Sequence, residues 1–233
     1  MSKKILVVLT NTAKYPTLKR ATGLWLGEAV HFVEKIEKAG YKVDYVSPNG
    51  GYVPIDPHSL SMAQDLDWAW YNDKAFMNRL GTTLNPGQVK AQDYSAIYYT
   101  GGHGVIWDFP DNAGLQELAR KIFEAGGVVA SVCHGAVGLL NIKLSDNSLL
   151  VKDREVTGFS NTEEHLAELD KVVPYLTETE LGARGGLYQA TEPWETFAIA
   201  DQKEGRLITG QNPASSGAVA DLVIKALEGA RRT

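Results

Sequence analysis

Cysteine occurs once in the 233 residues. A single thiol permits no internal disulfide and no cysteine-built zinc cluster, so nothing in the covalent structure requires an oxidising compartment. Long apolar runs are also missing. The first one, Ile5-Leu6-Val7-Val8-Leu9 behind Lys3-Lys4, is far too short for a signal core or a membrane span, so a cytoplasmic protein that begins on a core strand is expected. No block of like charges occurs and the formal net charge is −5, which argues against nucleic acid or an anionic membrane as the main partner. Repeats, low-complexity tracts and linkers are absent, and 1–233 reads as one domain.

What is present is an alternation of apolar runs with amphipathic stretches. Residues 5–10 form an unbroken apolar run of strand length, the pattern of a strand covered on both faces in a parallel sheet. After a polar loop at 11–22, the segment ending at Gly40 puts Ala29, Val33 and Ile36 on one helical face and Glu34, Lys35, Glu37 and Lys38 on the other. Residues 41–46 read as a second strand, giving a βαβ opening. Further strands are expected at 94–99, 128–132, 194–200 and 206–209, a hairpin at 149–151 and 155–159, and helices at 115–125, from Asn161 onward and at 217–227. The fold class is therefore α/β, a doubly wound, mostly parallel sheet with helices on both faces and ligands at the carboxyl ends of its strands. Between Ser47 and Asp93 the alternation lapses. Pro48, Pro54, Pro57, Pro86 and Gly50-Gly51 mark turns, and 65–80 reads as helical, carrying Trp68, Trp70, Phe76 and Met77. This insertion, at about 48–93, is expected either to roof a pocket or carry a dimer surface, or to pack as an outer helix on the sheet.

The chemistry gathers in Gly126-Gly127-Val128-Val129-Ala130-Ser131-Val132-Cys133-His134-Gly135-Ala136. A β-branched run ends on the cysteine, and a histidine, a glycine and small residues follow as if a helix begins at once. That is the layout of a nucleophile elbow, whose strained turn leaves room only for small neighbours. A thiol so placed faces the first amides of the next helix, which favours a thiolate near neutral pH. Another strand end carries Thr100-Gly101-Gly102-His103-Gly104, where glycines let backbone amides approach a ligand. Glu28 lies among Leu24, Trp25, Leu26 and Gly27 and is read as a buried carboxyl of raised pKa, able to exchange a proton with the thiol. In a parallel sheet these three reach one edge. Cys133 is then the nucleophile, and the amides of Gly102 and His134 are the natural oxyanion donors. His134 needs a third group to orient its ring; Glu163 and Glu164 both qualify, and either could instead be a first-turn helix acid. Trp107 and Trp194 are expected in the core more than in the pocket wall, and His31, His58 and His165 at the surface or in packing.

The elbow, with Glu28 upstream and Gly101-Gly102-His103-Gly104 between them, resembles the ThiJ/PfpI superfamily, with its class I glutamine amidotransferase-like, flavodoxin-like sheet. The long insertion, Thr157-Gly158-Phe159-Ser160-Asn161-Thr162-Glu163-Glu164 and Thr209-Gly210-Gln211-Asn212-Pro213-Ala214-Ser215 resemble one branch of it, the heat-shock chaperone-like proteins and glutathione-independent glyoxalases (glyoxalase III). The resemblance spans nearly the whole chain. It implies Cys133 as nucleophile, His134 as its basic partner, Glu164 as the acid on His134 and Glu28 as the carboxyl beside the thiol, with Gly102 and His103 toward the substrate. It implies conversion of methylglyoxal, or a similar 2-oxoaldehyde, to D-lactate by a hydro-lyase that needs no cofactor, in a homodimer with a stress-protective role. Some relatives of this kind bind zinc through histidines and a carboxylate near this pocket; His103 matches one such position, the resemblance places no other ligand, and no required metal is expected. Two other functions would use the same residues. A cysteine amidase or peptidase of PfpI type needs an open cleft, and a holdase chaperone or redox sensor rests on exposed apolar surface or on oxidation of Cys133.

Overall fold

The first strand, β1 (Lys4–Val8), sends Ile5 and Val7 into one hydrophobic layer and Leu6 and Val8 into the other, and all four are fully buried. Such two-sided burial is what an uninterrupted apolar run demands. The computed structural model describes residues 4–229. Strands β2 (Lys42–Val46), β3 (Ala96–Tyr99), β4 (Val128–Val132), β7 (Ala198–Ala200) and β8 (Leu207–Gly210) complete a sheet in the order β2-β1-β3-β4-β8-β7. Every neighbouring pair is parallel except β7 with β8, at the edge. Helices α1 (Leu26–Lys38) and α8 (Ser216–Gly229) cover one face, and α5 (Ala113–Glu124) covers the other. The expected doubly wound α/β architecture is thus present, with β1, β3, β4 and β8 all ending on one edge. Among the described residues no helix is long and apolar enough to cross a membrane.

The insertion folds as α2 (Pro57–Ser61), α3 (Asp65–Tyr71) and α4 (Lys74–Gly81). The single helix expected over 65–80 is broken because the Asp73 carboxylate caps a new start, accepting from the Phe76 amide at 2.9 Å. Phe76 and Leu80 join the core on the α1 side, with Trp70 edge-on to Phe76. The stretch around α2 reaches the start of α1, where Ser59 Oγ accepts from the Leu26 amide and the His58 ring meets Trp25.

Two other expectations fail. Residues 149–159 form no hairpin: β5 (Glu155–Val156) pairs in parallel with β6 (Leu187–Tyr188), delivered by α7 (Thr177–Ala183). The turn residue Asp153 has φ 56 and donates its amide to Gly185 O, so the backbone bonds of this stretch run to a distant segment. The strand expected over 194–200 shrinks to β7, because Trp194 turns out of it with φ 67. Both errors come from local pattern, which reports strand propensity but not the partner.

Candidate active site

Strand β4 stops at Val132 in extended geometry, and Cys133 then adopts φ 55. A left-handed backbone at a non-glycine residue is costly and uncommon, and here it turns the thiol out of the sheet edge. Residues Cys133–Leu139 continue at once as a helix, of the 3-10 kind. The chain runs tight against β3: a Cβ on Gly135 would lie 2.4 Å from Tyr99 O.

Glu28, in the first turn of α1, is fully buried. Its Oε2 accepts from the Gly101 amide at 2.5 Å, its buried Oε1 has no hydrogen-bond partner among the described residues, and the carboxyl stands beside the Cys133 side chain across Gly101. Position 101 has room for hydrogen only, since a Cβ there would sit 2.6 Å from Glu28 Oε2 and 3.0 Å from Cys133 Cβ. Burial pushes the Glu28 carboxyl up to about 8, against the lowering influence of the Gly101 N–H and the thiol. Burial also pushes the Cys133 thiol well above its ordinary value, and any charge on Glu28 pushes it further, while the His134 amide works the other way. The resting thiolate expected near neutral pH is therefore corrected to a thiol. Desolvation outweighs the one amide that points at the sulfur, and no α-helix stands behind it.

On the other side of the sulfur, His134 Nδ1 lies 3.4 Å from Cys133 Sγ, and His134 Nε2 meets Glu164 Oε2 at 2.6 Å. The second oxygen of the same carboxylate meets His103 Nε2 at 2.7 Å. Burial would raise the Glu164 carboxyl, but the two imidazoles hold it well below the usual carboxylate range. His103 falls to about 4, first through burial and then through the charge of His134, despite Glu164. Helix α6 (Asn161–Leu166) explains why Glu164 and not Glu163 touches the ring. Ser160 Oγ accepts from the Glu163 amide, and Glu163 Oε2 accepts from the Ser160 amide, a reciprocal cap that aims Glu163 back at the helix start. The next residue points about 100° away around the helix, into the site.

All six anticipated residues gather at this edge. Gly102, left-handed at φ 96, abuts Gly23 and Trp25. His103 was expected toward substrate alone, and its bond to Glu164 was not foreseen. Neither were Tyr15 and Phe159. Tyr15, from the polar loop, packs on His103 and Trp107, and no pattern in that loop signals it. Phe159 packs on His134 with ring centroids 4.2 Å apart; its place beside the Glu163-Glu164 pair was the available clue. Trp194, expected in the core, is half-exposed beyond Phe159, because its amide is bonded to Glu163 while its left-handed backbone turns the ring away from the core. His31 pairs with Asp67 at 3.0 Å, while His58 and His165 are exposed.

His103, His134 and Glu164 offer three metal-ligating atoms within 4.8 Å of one another. Tetrahedral zinc with bonds near 2.1 Å spreads its ligands about 3.4 Å apart. The 2.6 and 2.7 Å contacts here are hydrogen-bond distances, closer than that, so the three side chains as placed are joined by shared protons.

A sequence model of the DJ-1/PfpI family matches residues 21–226. Glutathione-independent glyoxalase HSP31 of Saccharomyces cerevisiae is 35% identical over 240 residues, covering 97% of this chain and 98% of the yeast protein. Among solved structures, the Rapid Encystment Protein 24 KDa of Francisella tularensis superposes with a TM-score of 0.92 at 33% identity, covering 97% of this chain and 99% of that one. Glyoxalase III of Candida albicans superposes with a TM-score of 0.85 at 29% identity, covering 96% of each chain.

Proposed function

The chain belongs to the DJ-1/PfpI family, and from that premise and the site's geometry we propose that it is a glutathione-independent glyoxalase. Its reaction is the conversion of methylglyoxal, or a similar 2-oxoaldehyde, with water to D-lactate, a hydro-lyase reaction at Cys133. One observation carries the reading. The thiol stands between the Glu28 carboxyl, held protonated at neutral pH by its burial, and an imidazole seated on a carboxylate. None of Glu28, His103, Cys133, His134 and Glu164 is more than 8% exposed, which suits a three-carbon aldehyde and not a peptide.

The chemistry follows from where each proton can go. His134 Nδ1 takes the thiol proton as sulfur bonds to the aldehyde carbon C1, and Glu164 balances the imidazolium. The oxygen on C1 accepts from the amides of His134 and Gly102 and takes the Glu28 proton, giving a neutral hemithioacetal. The Glu28 carboxylate then removes the C1 hydrogen as a proton, the electron pair moves into a C1–C2 double bond, and His134 protonates the oxygen on C2. From this enediol, Glu28 returns its proton to C2 while His134 takes the proton from the C1 oxygen, leaving a thioester. The imidazolium proton returns to the Glu28 carboxylate, and water then opens the thioester, releasing lactate and the thiol. The substrate and water together contain every atom of the product. A carboxyl that titrates at about 8 suits a group that must act first as acid and then as base near neutral pH.

The test is D-lactate formation from methylglyoxal without glutathione. The wild type is expected to form it and Cys133→Ala to fall to the uncatalysed background. No D-lactate from the wild type removes the proposal, and amide cleavage that Cys133→Ala abolishes would replace it with an amidase.

A further inference from the structure

Three aromatic rings lead from the reacting thiol's neighbour to the surface. His134 is sealed, Phe159 lies against it with centroids 4.2 Å apart, and Trp194 lies 5.8 Å beyond Phe159. Only Trp194, 50% exposed, reaches solvent. Its backbone is left-handed at φ 67, an outlier for so bulky a residue, and such outliers persist only where the surroundings over-determine them.

The surroundings do so here through Glu163. Fully buried, it accepts from the Trp194 amide at 2.9 Å and from Asn212 Nδ2 at 2.8 Å through one oxygen. Its other oxygen is committed to Ser160, one helical turn from Glu164. Asn212 Nδ2 also donates to Glu195 O, fixing the loop on the far side of the indole. A buried carboxylate is a costly way to hold a loop, and what it holds is a large, half-exposed side chain one ring beyond the one that packs on His134.

We propose that Trp194 is the specificity-determining wall of the site, limiting the size of the group that a substrate carries beyond its reacting carbonyl. The inference rests on the glyoxalase reading for its substrate class, while the wall itself acts on anything that approaches Cys133. With the indole in place, methyl-sized groups pass and a phenyl group is blocked.

The test compares wild type, Trp194→Ala and Trp194→Phe on methylglyoxal and phenylglyoxal, reading kcat/KM from lactate and mandelate. The same proteins are then alkylated at Cys133 with iodoacetamide and N-phenyliodoacetamide. Removing a steric wall is expected to raise the phenyl-to-methyl ratio about tenfold or more in both readouts, within the range that pocket sterics achieve. Trp194→Phe, which keeps an aromatic ring on the strained turn, is expected to fall between wild type and Trp194→Ala. A change below about tenfold in the alkylation ratio of a Trp194→Ala whose far-ultraviolet circular dichroism matches wild type overturns the inference, and if Trp194→Ala does not fold, a Trp194→Phe ratio equal to that of wild type overturns it. Failure of the wild type to turn over either aldehyde strikes the glyoxalase reading alone, because the alkylation ratio still judges the wall.

Discussion

Replacing Glu28 by glutamine should make the protein more stable at alkaline pH while disabling it. In the unfolded chain this carboxyl titrates near 4.5, and in the folded protein at about 8, chiefly because it is buried. The folded state therefore binds the proton more tightly, and stability falls as pH rises through the interval between the two values. At about 1.36 kcal/mol per pH unit, the gap amounts to roughly 5 kcal/mol fully lost above pH 8, of which about 3.5 kcal/mol disappears between pH 5 and pH 8. Glutamine has the same shape, keeps an oxygen for the Gly101 amide and cannot ionise. Urea unfolding of both proteins in reducing buffer at pH 5, 6, 7 and 8 should show curves within about 1 kcal/mol at pH 5 that diverge until Glu28→Gln is ahead by about 3 kcal/mol at pH 8. Lactate formation should fall by about 10²–10⁴ in kcat over the same range, the usual contribution of a positioned acid and base. Parallel stability curves would refute the reasoning at its root, since they would mean that Glu28 is no harder to ionise inside the protein than outside it.

The other expectations are simpler. Glu164→Gln leaves one oxygen to serve the two rings now seated on the carboxylate and removes the charge that balances an imidazolium. Its kcat for methylglyoxal should drop about 10²–10⁴, and a loss below about tenfold would show that the carboxylate only packs. Gly135→Ala would place a methyl 2.4 Å from Tyr99 O and 2.6 Å from Thr100 O. Overpacking of this kind costs about 1–3 kcal/mol and should lower the melting temperature by several degrees; an unchanged melt would mean that the elbow yields freely.

Much of this protein is local, and the local part is readable from the chain. Apolar runs long enough for a strand and apolar on both faces have to be interior parallel strands, which is why β1, β3 and β4 lie where the pattern puts them. The small residues around Cys133 announce a tight turn, and Cys133 does adopt φ 55. Glu28 amid Leu24, Trp25 and Leu26 reads as buried and is buried. What the chain alone left open depended on which distant segments meet. The pairing of β5 with β6, some 30 residues on, has no local signature. The division of labour between Glu163 and Glu164 was settled by a reciprocal cap at Ser160 and by where α6 docks. Trp194 was held at the surface by a bond from its amide to a buried carboxylate of another element. Even the protonation of Cys133 was decided in three dimensions. A turn supplies one amide from its own neighbours, but the loss of water that holds the proton on sulfur comes from every element packed around it.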